Sequence, residues 1–338
     1  MLTASRSAAA LARTLACAML VAGVLGCTSV PQSGPVAVAS TTPPAGPTGG
    51  PPPASTASGT PTPSTTTTTT ATPVTSASLQ PMTTTAPPEP RPRPPAPIVL
   101  PPIAGRFDYQ LGGAYAPPPG TTIVERDRAS LPVPRTYGIC YVNAFQTQPE
   151  ELTWWKAHHA RVLLATGGTL VQDPDWPGEV LLDTSTPARR AEAAAVVGGW
   201  IDGCAAKGYR AVELDNLDSW TRSGGRLTAA SNVAFAKLLV ARAHLRRLAV
   251  AQKNTAELAP QGRRIGFDFA VAEECQVYGE CGAYTSAYGR HVIEVEYTDN
   301  GVDAFTAACA ARGRLISVVL RDRDLVAAGD QGYAYRRC

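Results

Sequence analysis

Residues 187–215 read PARRAEAAAVVGGWIDGCAAKGYRAVELD. The first part has the apolar spacing of a helix, Pro187 to Ala206, with Ser185 or Thr186 as cap and a proline where the first-turn N–H has no partner to lose. Lys207-Gly208 supplies a charged last turn and a glycine stop. A short strand, Ala211 to Leu214, follows, with Glu213 and Asp215 at its end. A helix feeding a short strand is half of a βαβ unit, and the alternation recurs outward in both directions. Further strands are predicted at Tyr109 to Tyr115, Thr122 to Arg126, Thr136 to Phe145, Arg161 to Thr166 and Glu179 to Asp183, then at Arg247 to Gln252, Ile265 to Val271, Val292 to Glu296 and Leu315 to Leu320. Helices are predicted at Pro149 to His158, Thr228 to Leu245 and Val302 to Ala311. Seven or eight such repeats within residues 104–338 predict one α/β domain, a (β/α)8 TIM-type barrel, whose usual size is roughly 250 residues.

The chain before that domain has a different character. Of 31 prolines, 21 lie between Cys27 and Ile103, among Thr, Ser, Ala and Gly. Such a stretch buries too little apolar surface to offset ordering entropy, so residues 27–103 are expected to be a disordered Pro/Thr/Ser-rich linker, extended and semi-rigid. Residues 1–26 carry Arg6 and Arg13, no acid, and an apolar run from Leu15 to Leu25. That run is shorter than the roughly 20 residues of a bilayer-spanning helix and has the layout of a secretory signal peptide. Val24-Leu25-Gly26-Cys27 resembles the bacterial lipoprotein signal. The resemblance implies lipidation of Cys27, a membrane partner through that anchor and an extracytoplasmic location, lipid-anchored or secreted.

Within residues 104–338 the charges balance, 26 Lys+Arg against 26 Asp+Glu. A neutral domain has no broad basic face, which argues against nucleic acid as a partner. Export permits disulfides, and six cysteines fall in the domain: Cys140, Cys204, Cys275, Cys281, Cys309 and Cys338. Six cysteines admit fifteen pairings. Spacing favours Cys275 with Cys281 as a small local loop, Cys309 with Cys338 as a tie for the chain end, and Cys140 with Cys204 as a longer loop. No close Cys/His pairs suggest zinc, no DxDxDG loop suggests calcium, and the four histidines are scattered, so neither a metal nor another cofactor is expected. No GxGxxG or GxxxxGK[ST] opens a helix, and no GxSxG follows a strand.

In a parallel α/β barrel the reactive side chains gather at the carboxyl ends of the strands. Here those ends are acidic: Asp183 after Val180-Leu181-Leu182, Glu213 and Asp215 in the quoted stretch, Glu273 and Glu274 after Phe269-Ala270-Val271, and Glu296 after Val292 to Val295. Such a ring makes a negative cleft, and it contains the paired carboxylates that glycoside hydrolysis needs. Alternation puts Glu213 and Asp215 on one face, and Glu273 and Glu274 on opposite faces.

The segments Phe107-Asp108-Tyr109-Gln110-Leu111, Gly138-Ile139-Cys140-Tyr141, Glu213-Leu214-Asp215-Asn216-Leu217-Asp218, Gln252-Lys253-Asn254, Glu273-Glu274-Cys275 with Tyr278 and Cys281, and Val295-Glu296-Tyr297 together resemble glycoside hydrolase family 114. These are barrel enzymes described as endo-α-1,4-polygalactosaminidases. The resemblance implies a polysaccharide substrate rich in galactosamine and two catalytic carboxylates, Asp215 and Glu273. Asp215 is read as nucleophile or base and Glu273 as acid, the apolar run before Glu273 favouring the protonated form, with the reverse assignment left open; Glu274 replaces Glu273 if the register slips by one. Tyr109, Gln110 and Tyr141 are candidate sugar contacts or core tyrosines and glutamine. Lys253 and Asn254 either orient a carboxylate or form a structural pair. Glu213, Asn216, Asp218, Glu274 and Tyr297 flank the motifs as candidate substrate ligands, and Asp183 and Glu296 are candidates to hold a substrate ammonium or hydroxyl. Trp154, Trp155, Trp176 and Trp200 invite a sugar-stacking reading, but Trp154, Trp155 and Trp200 fall in helical stretches and are expected in the core, and Trp220, just past the Asp-Asn motif, is the favoured stacking residue. A rival reading is a non-catalytic surface glycan-binding or adhesion protein on a barrel, which would not need both Asp215 and Glu273. Either way the protein is expected to act as a monomer.

Overall fold

The computed structural model describes residues 97–338. The expected signal peptide, the lipidation site at Cys27 and the linker as far as residue 96 lie outside the described residues. Eight strands run parallel in sequence order: β1 (Phe107–Gln110), β2 (Ile123–Asp127), β3 (Tyr137–Asn143), β4 (Ala211–Asp215), β5 (Ala249–Lys253), β6 (Phe269–Glu273), β7 (Val292–Tyr297) and β8 (Ser317–Arg321). A ninth, β9 (Tyr335–Arg337), pairs antiparallel with β8. No ladder joins β1 to β8, but the ring is nearly closed there: Gly112 N–H donates to the Leu325 carbonyl at 3.2 Å and the Arg321 guanidinium donates to the Tyr109 carbonyl. The helices are α1 (Leu152–His158), α2 (Pro187–Lys207), α3 (Ala229–Leu245), α4 (Ala259–Ile265), α5 (Cys281–Tyr288) and α6 (Asp303–Arg312). None of them is long and apolar enough to cross a membrane.

Local signals account for the two long helices. Thr186 Oγ1 accepts from Arg189 N–H at the start of α2, and Gly208 ends it at φ 92°. At α3, Thr228 and Ser231 cap each other reciprocally, each side chain accepting from the other's N–H at 3.1 Å. Strand alternation then separates two cores. Phe107, Ile139, Ala211, Ala251, Phe269, Val271, Val295 and Val319 fill the barrel interior, while Val142, Leu214, Val250 and Leu320 face helix residues such as Val197, Ile201, Phe235 and Leu239.

The three expected disulfides are present. Cys140–Cys204 ties β3 to α2, Cys275–Cys281 closes the loop into α5, and Cys309–Cys338 pins the chain end to α6, with Cα separations of 6.1, 4.8 and 5.4 Å.

Several boundaries differ from the sequence reading. The first strand ends at Gln110 instead of Tyr115, because Gly112-Gly113 turns the chain, with Gly113 at φ 153°. The connections β1–β2 and β2–β3 contain no helix. Arg161 to Thr166 and Glu179 to Asp183 are not barrel strands: they belong to a long excursion, residues 144–186, holding α1, a hairpin at 165–166 and 169–170, and isolated bridges Gln146–Leu181, Leu163–Leu182 and Gln172–Val180. Their apolar runs are buried all the same, which is why they read as core strands. The short helices α4 and α5 have too few turns to show a period. Residues 97–103, assigned to the linker by composition, pack on the barrel: Ile98 and Leu100 lie against the interior core, and Tyr137 OH donates to the Val99 carbonyl at 2.7 Å. Trp155 is buried and Trp200 packs on the helical core, but Trp154 is 41% exposed rather than internal.

Candidate active site

Three successive strands end in the same way. Asp215 closes β4, Lys253 closes β5 and Glu273 closes β6, all facing the barrel axis, and each is followed by a residue with left-handed backbone: Asn216 (φ 62°), Asn254 (φ 47°) and Glu274 (φ 57°). That turn carries the chain away from the axis immediately after the inward side chain. Asparagine tolerates it; glutamate does so less readily, and Glu274 is held by Arg323 at 2.6 Å and by Asn300. The β5 turn is braced from outside, where Gln252 Nε2 donates to the carbonyls of Asn254 (2.8 Å) and Thr255 (2.9 Å).

Lys253 is the hub. Its ammonium lies 3.2 Å from Glu213 Oε1, 3.3 Å from Glu273 Oε2, 3.4 Å from Asp215 Oδ1 and 3.1 Å from the Tyr109 hydroxyl. Burial alone would strip its proton, but Asp215, Glu213 and Glu273 outweigh that and hold its pKa well above the ordinary lysine value. Asp215 also accepts from Tyr141 OH and from Asn216 N–H, both at 2.8 Å. Glu273 accepts from Tyr297 OH and, at 2.9 Å, from Asn254 Nδ2, while Asn254 Oδ1 accepts from Glu273 N–H. Tyr109, Tyr141 and Tyr297 are pushed far up by burial and then by Glu213, Asp215 and Glu273 respectively, so they remain hydroxyl donors.

Asp215, Lys253 and Glu273 open onto a cavity of about 250 Å³. Its far wall comes from the 144–186 excursion: Asp173, Asp175, Trp176 and Glu179. Asn143 Nδ2 donates to Glu179 at 2.8 Å, yet burial, with repulsion from Asp215, pushes the Glu179 carboxyl up to about 7. Arg222 joins wall to floor, reaching Asp173 at 2.5 Å, Asp218 at 3.0 Å and Asn216 Oδ1 at 3.0 Å. The lining holds six carboxylates against Lys253, Arg222 and Arg323, a negative balance in a concave site.

Of the residues singled out from sequence, Tyr109, Tyr141, Asp215, Asn216, Asp218, Lys253, Asn254, Glu273 and Tyr297 line this cavity. Six do not. Glu213 lies beneath the floor with no exposure, because it sits one strand layer deeper than Asp215. Gln110 points out of the barrel and accepts from Arg126 Nε at 2.8 Å. Asp183 pairs with Arg189 at 2.7 Å at the start of α2. Glu274 is not in the lining but pairs with Arg323, which is, and Glu296, on the outer side of β7, accepts from Gln276 N–H at 3.0 Å. Trp220 packs among Leu164, Leu181 and Leu227. The exposed aromatic at the cavity is Trp176 instead, 57% exposed. Asp173-Pro174-Asp175-Trp176 is a legible cue, two acids and an aromatic around a proline, but nothing in its spacing ties it to the strand ends. Among the described residues the one cluster with metal-like proximity, Cys275, Cys281 and Glu294, offers a disulfide and a carboxylate already paired with Arg312.

A parallel barrel with two carboxylates facing one cavity at its carboxyl end has the groups that glycoside hydrolysis uses. The model of glycoside-hydrolase family GH114 matches residues 87–338, and the chain belongs to that family of enzymes acting on O-glycosidic bonds. Among solved structures, Ega3 of Aspergillus fumigatus in complex with galactosamine superposes with a TM-score of 0.57 at 22% identity, over 72% of this chain and 99% of that one. The glycoside hydrolase domain of PelA from Pseudomonas aeruginosa gives a TM-score of 0.46 at 16% identity, over 67% and 96%. No curated protein matches the sequence.

Proposed function

We propose that the protein hydrolyses an α-1,4-linked, galactosamine-rich polysaccharide, with Asp215 as nucleophile and Glu273 as general acid. The observation that carries this reading is the Lys253 ammonium in contact with both carboxylates at the floor of the cavity. Its two contacts leave the bridged oxygens no more than about 6.7 Å apart, at the lower edge of the roughly 6.5–9.5 Å that accommodates an attacking water in inverting enzymes. That limit also admits the roughly 5–5.5 Å of retaining enzymes, and we infer direct attack by Asp215 with retention of anomeric configuration, which a product of inverted configuration would overturn. Asp215 suits that role because a main-chain donor, Asn216 N–H, fixes its orientation. Glu273 has a longer side chain to follow the leaving oxygen. The acid-rich wall supports a substrate carrying free ammonium groups, as does the galactosamine named for the Ega3 complex. Export and anchoring through Cys27, and action as a monomer, complete the proposal; Cys27→Ser is expected to move the protein from the membrane to the soluble fraction.

The test is reducing-end release from partly deacetylated galactosaminogalactan. Asp215→Asn and Glu273→Gln are each expected to lose more than about a thousandfold in kcat with folding intact. A substrate with an activated leaving group should restore the first step in Glu273→Gln and leave Asp215→Asn inert. Binding without any release by the unmodified protein would favour the adhesion reading. Equal rates on acetylated and deacetylated polymer, or no effect of salt, would remove the charge argument.

A further inference from the structure

Beneath the hub, the barrel interior holds a second carboxyl group that no substrate can touch. Glu125 of β2 and Glu213 of β4 have no exposure, and the Glu125 carboxyl lies within hydrogen-bonding reach of the Glu213 carboxyl. Neither oxygen of Glu125 meets a donor, nor does Glu213 Oε2. The donors that face this pair are spent on one atom, Glu213 Oε1, which accepts from Tyr109 OH at 3.1 Å and from Lys253 at 3.2 Å. Tyr141 is bound to Asp215, and Tyr297 to Glu273. Arg321, the buried cation of β8, is engaged by Asp108 at 3.6 Å, Asp322 at 3.2 Å and backbone carbonyls. Two ionised carboxylates side by side, fully buried and with three oxygens lacking a protein donor, would carry the cost of buried charge. One proton between them satisfies the geometry.

We propose that Glu125 and Glu213 share a single proton and act as a positioning pair, which holds Lys253 from below with one negative charge and leaves its ammonium free to bridge Asp215 and Glu273. The catalytic consequence rests on the hydrolase reading above; the proton itself does not. Burial raises both carboxyls, Glu213 to about 7 and Glu125 well above the ordinary glutamate value, with the charge of Glu213 adding to the effect at Glu125. As pH rises and the shared proton leaves, the floor gains a second charge. Lys253, in contact with Glu213, Glu273 and Asp215 alike, is then drawn down from the two catalytic candidates. The alkaline side of the rate profile should carry that proton loss.

Two measurements decide it. Infrared difference spectra of the whole protein at neutral pH against high pH should show the carbonyl stretch of un-ionised buried carboxyls, with one component lost in Glu125→Gln while those of Glu179 and Glu296 stay; absence of a Glu125-dependent component overturns the proposal whether or not the protein is a hydrolase. In the rate profile, Glu125→Gln keeps a donor to Glu213 and one charge but cannot lose the proton, so the alkaline limb of kcat should move up by about one pH unit or more while KM changes little. An unchanged limb in a folded variant, as a purely structural glutamate would give, also overturns it. If Glu125→Gln fails to fold, the same spectra on a Glu179→Gln, Glu296→Gln background, free of the other carboxyls raised to about 7, decide: a band that persists supports the proposal and its absence overturns it.

Discussion

The two sides of the barrel are built differently. From β4 to β7 each strand is followed by a helix, and three strand ends in a row deliver one inward charged side chain followed by a left-handed residue. From β1 to β3 the crossovers lack helices, and β3 leads into 43 residues (144–186) with only short elements of their own before α2 begins. The first side supplies Asp215, Lys253 and Glu273; the second supplies Asp173, Asp175, Trp176 and Glu179. Regular strand ends hold the ion pairs to within hydrogen-bond tolerance, as chemistry requires, whereas an irregular wall can present varied groups to a polymer.

That division can be broken at its rigid side first. Lys253→Met removes the one cation touching Glu213, Asp215 and Glu273, so about a hundredfold or greater loss of kcat is expected, with about 3–5 kcal/mol of destabilisation from stranded carboxylates, read from denaturant midpoints. If kcat survives, the hub is structural only. On the wall, Trp176→Ala should raise KM about fivefold with kcat changed less than threefold, since an exposed ring contributes roughly 1 kcal/mol of contact. An effect mainly on kcat would place the wall in the chemistry. Cys140→Ser with Cys204→Ser, which unties β3 from α2 across 64 residues, should cost about 2–4 kcal/mol, with the remaining activity unchanged per folded molecule.

The smallest effect concerns pH. Glu179, Glu213 and Glu296 each have folded carboxyls raised from 4.5 to about 7, burial being the first cause. A raised folded pKa contributes stability that is complete below about 4.5 and is lost as pH climbs through about 7. The thermal midpoint should therefore fall between those values, and Glu296→Gln, outside the cavity, should flatten the fall by a few degrees. An unaltered slope would mean that Glu296 is solvated in solution.

Regular, short-range signals are legible in the sequence alone. The cap at Thr186, the stop at Gly208 and the alternation through Glu213-Leu214-Asp215 each report a local periodicity, and so locate α2, β4 and the inward direction of Asp215. The excursion reads wrongly as barrel strands because a buried run such as Val180-Leu181-Leu182 has the same hydrophobicity whether it lies in a barrel or against one. Trp220 and Trp176 exchange places for a related reason: sequence proximity to Asp215 says nothing about which aromatic faces the cavity.

Composition, period and turn chemistry act between neighbours in the chain, and they are enough for the class of fold, the disulfide pairing favoured by spacing and an acidic ring at the strand ends; the resemblance to the family picks Asp215 and Glu273 out of that ring. Depth within the barrel, the convergence of four strands on one ammonium and the wall carried in from residues 173–179 depend on contacts between residues distant in sequence. Glu213 and Asp215 show the difference most directly. They are two residues apart on the same face, yet one layer of packing leaves Asp215 at the cavity and seals Glu213 beneath it. The pleat sets which side a residue faces; only the closing of the sheet sets how far down it lies.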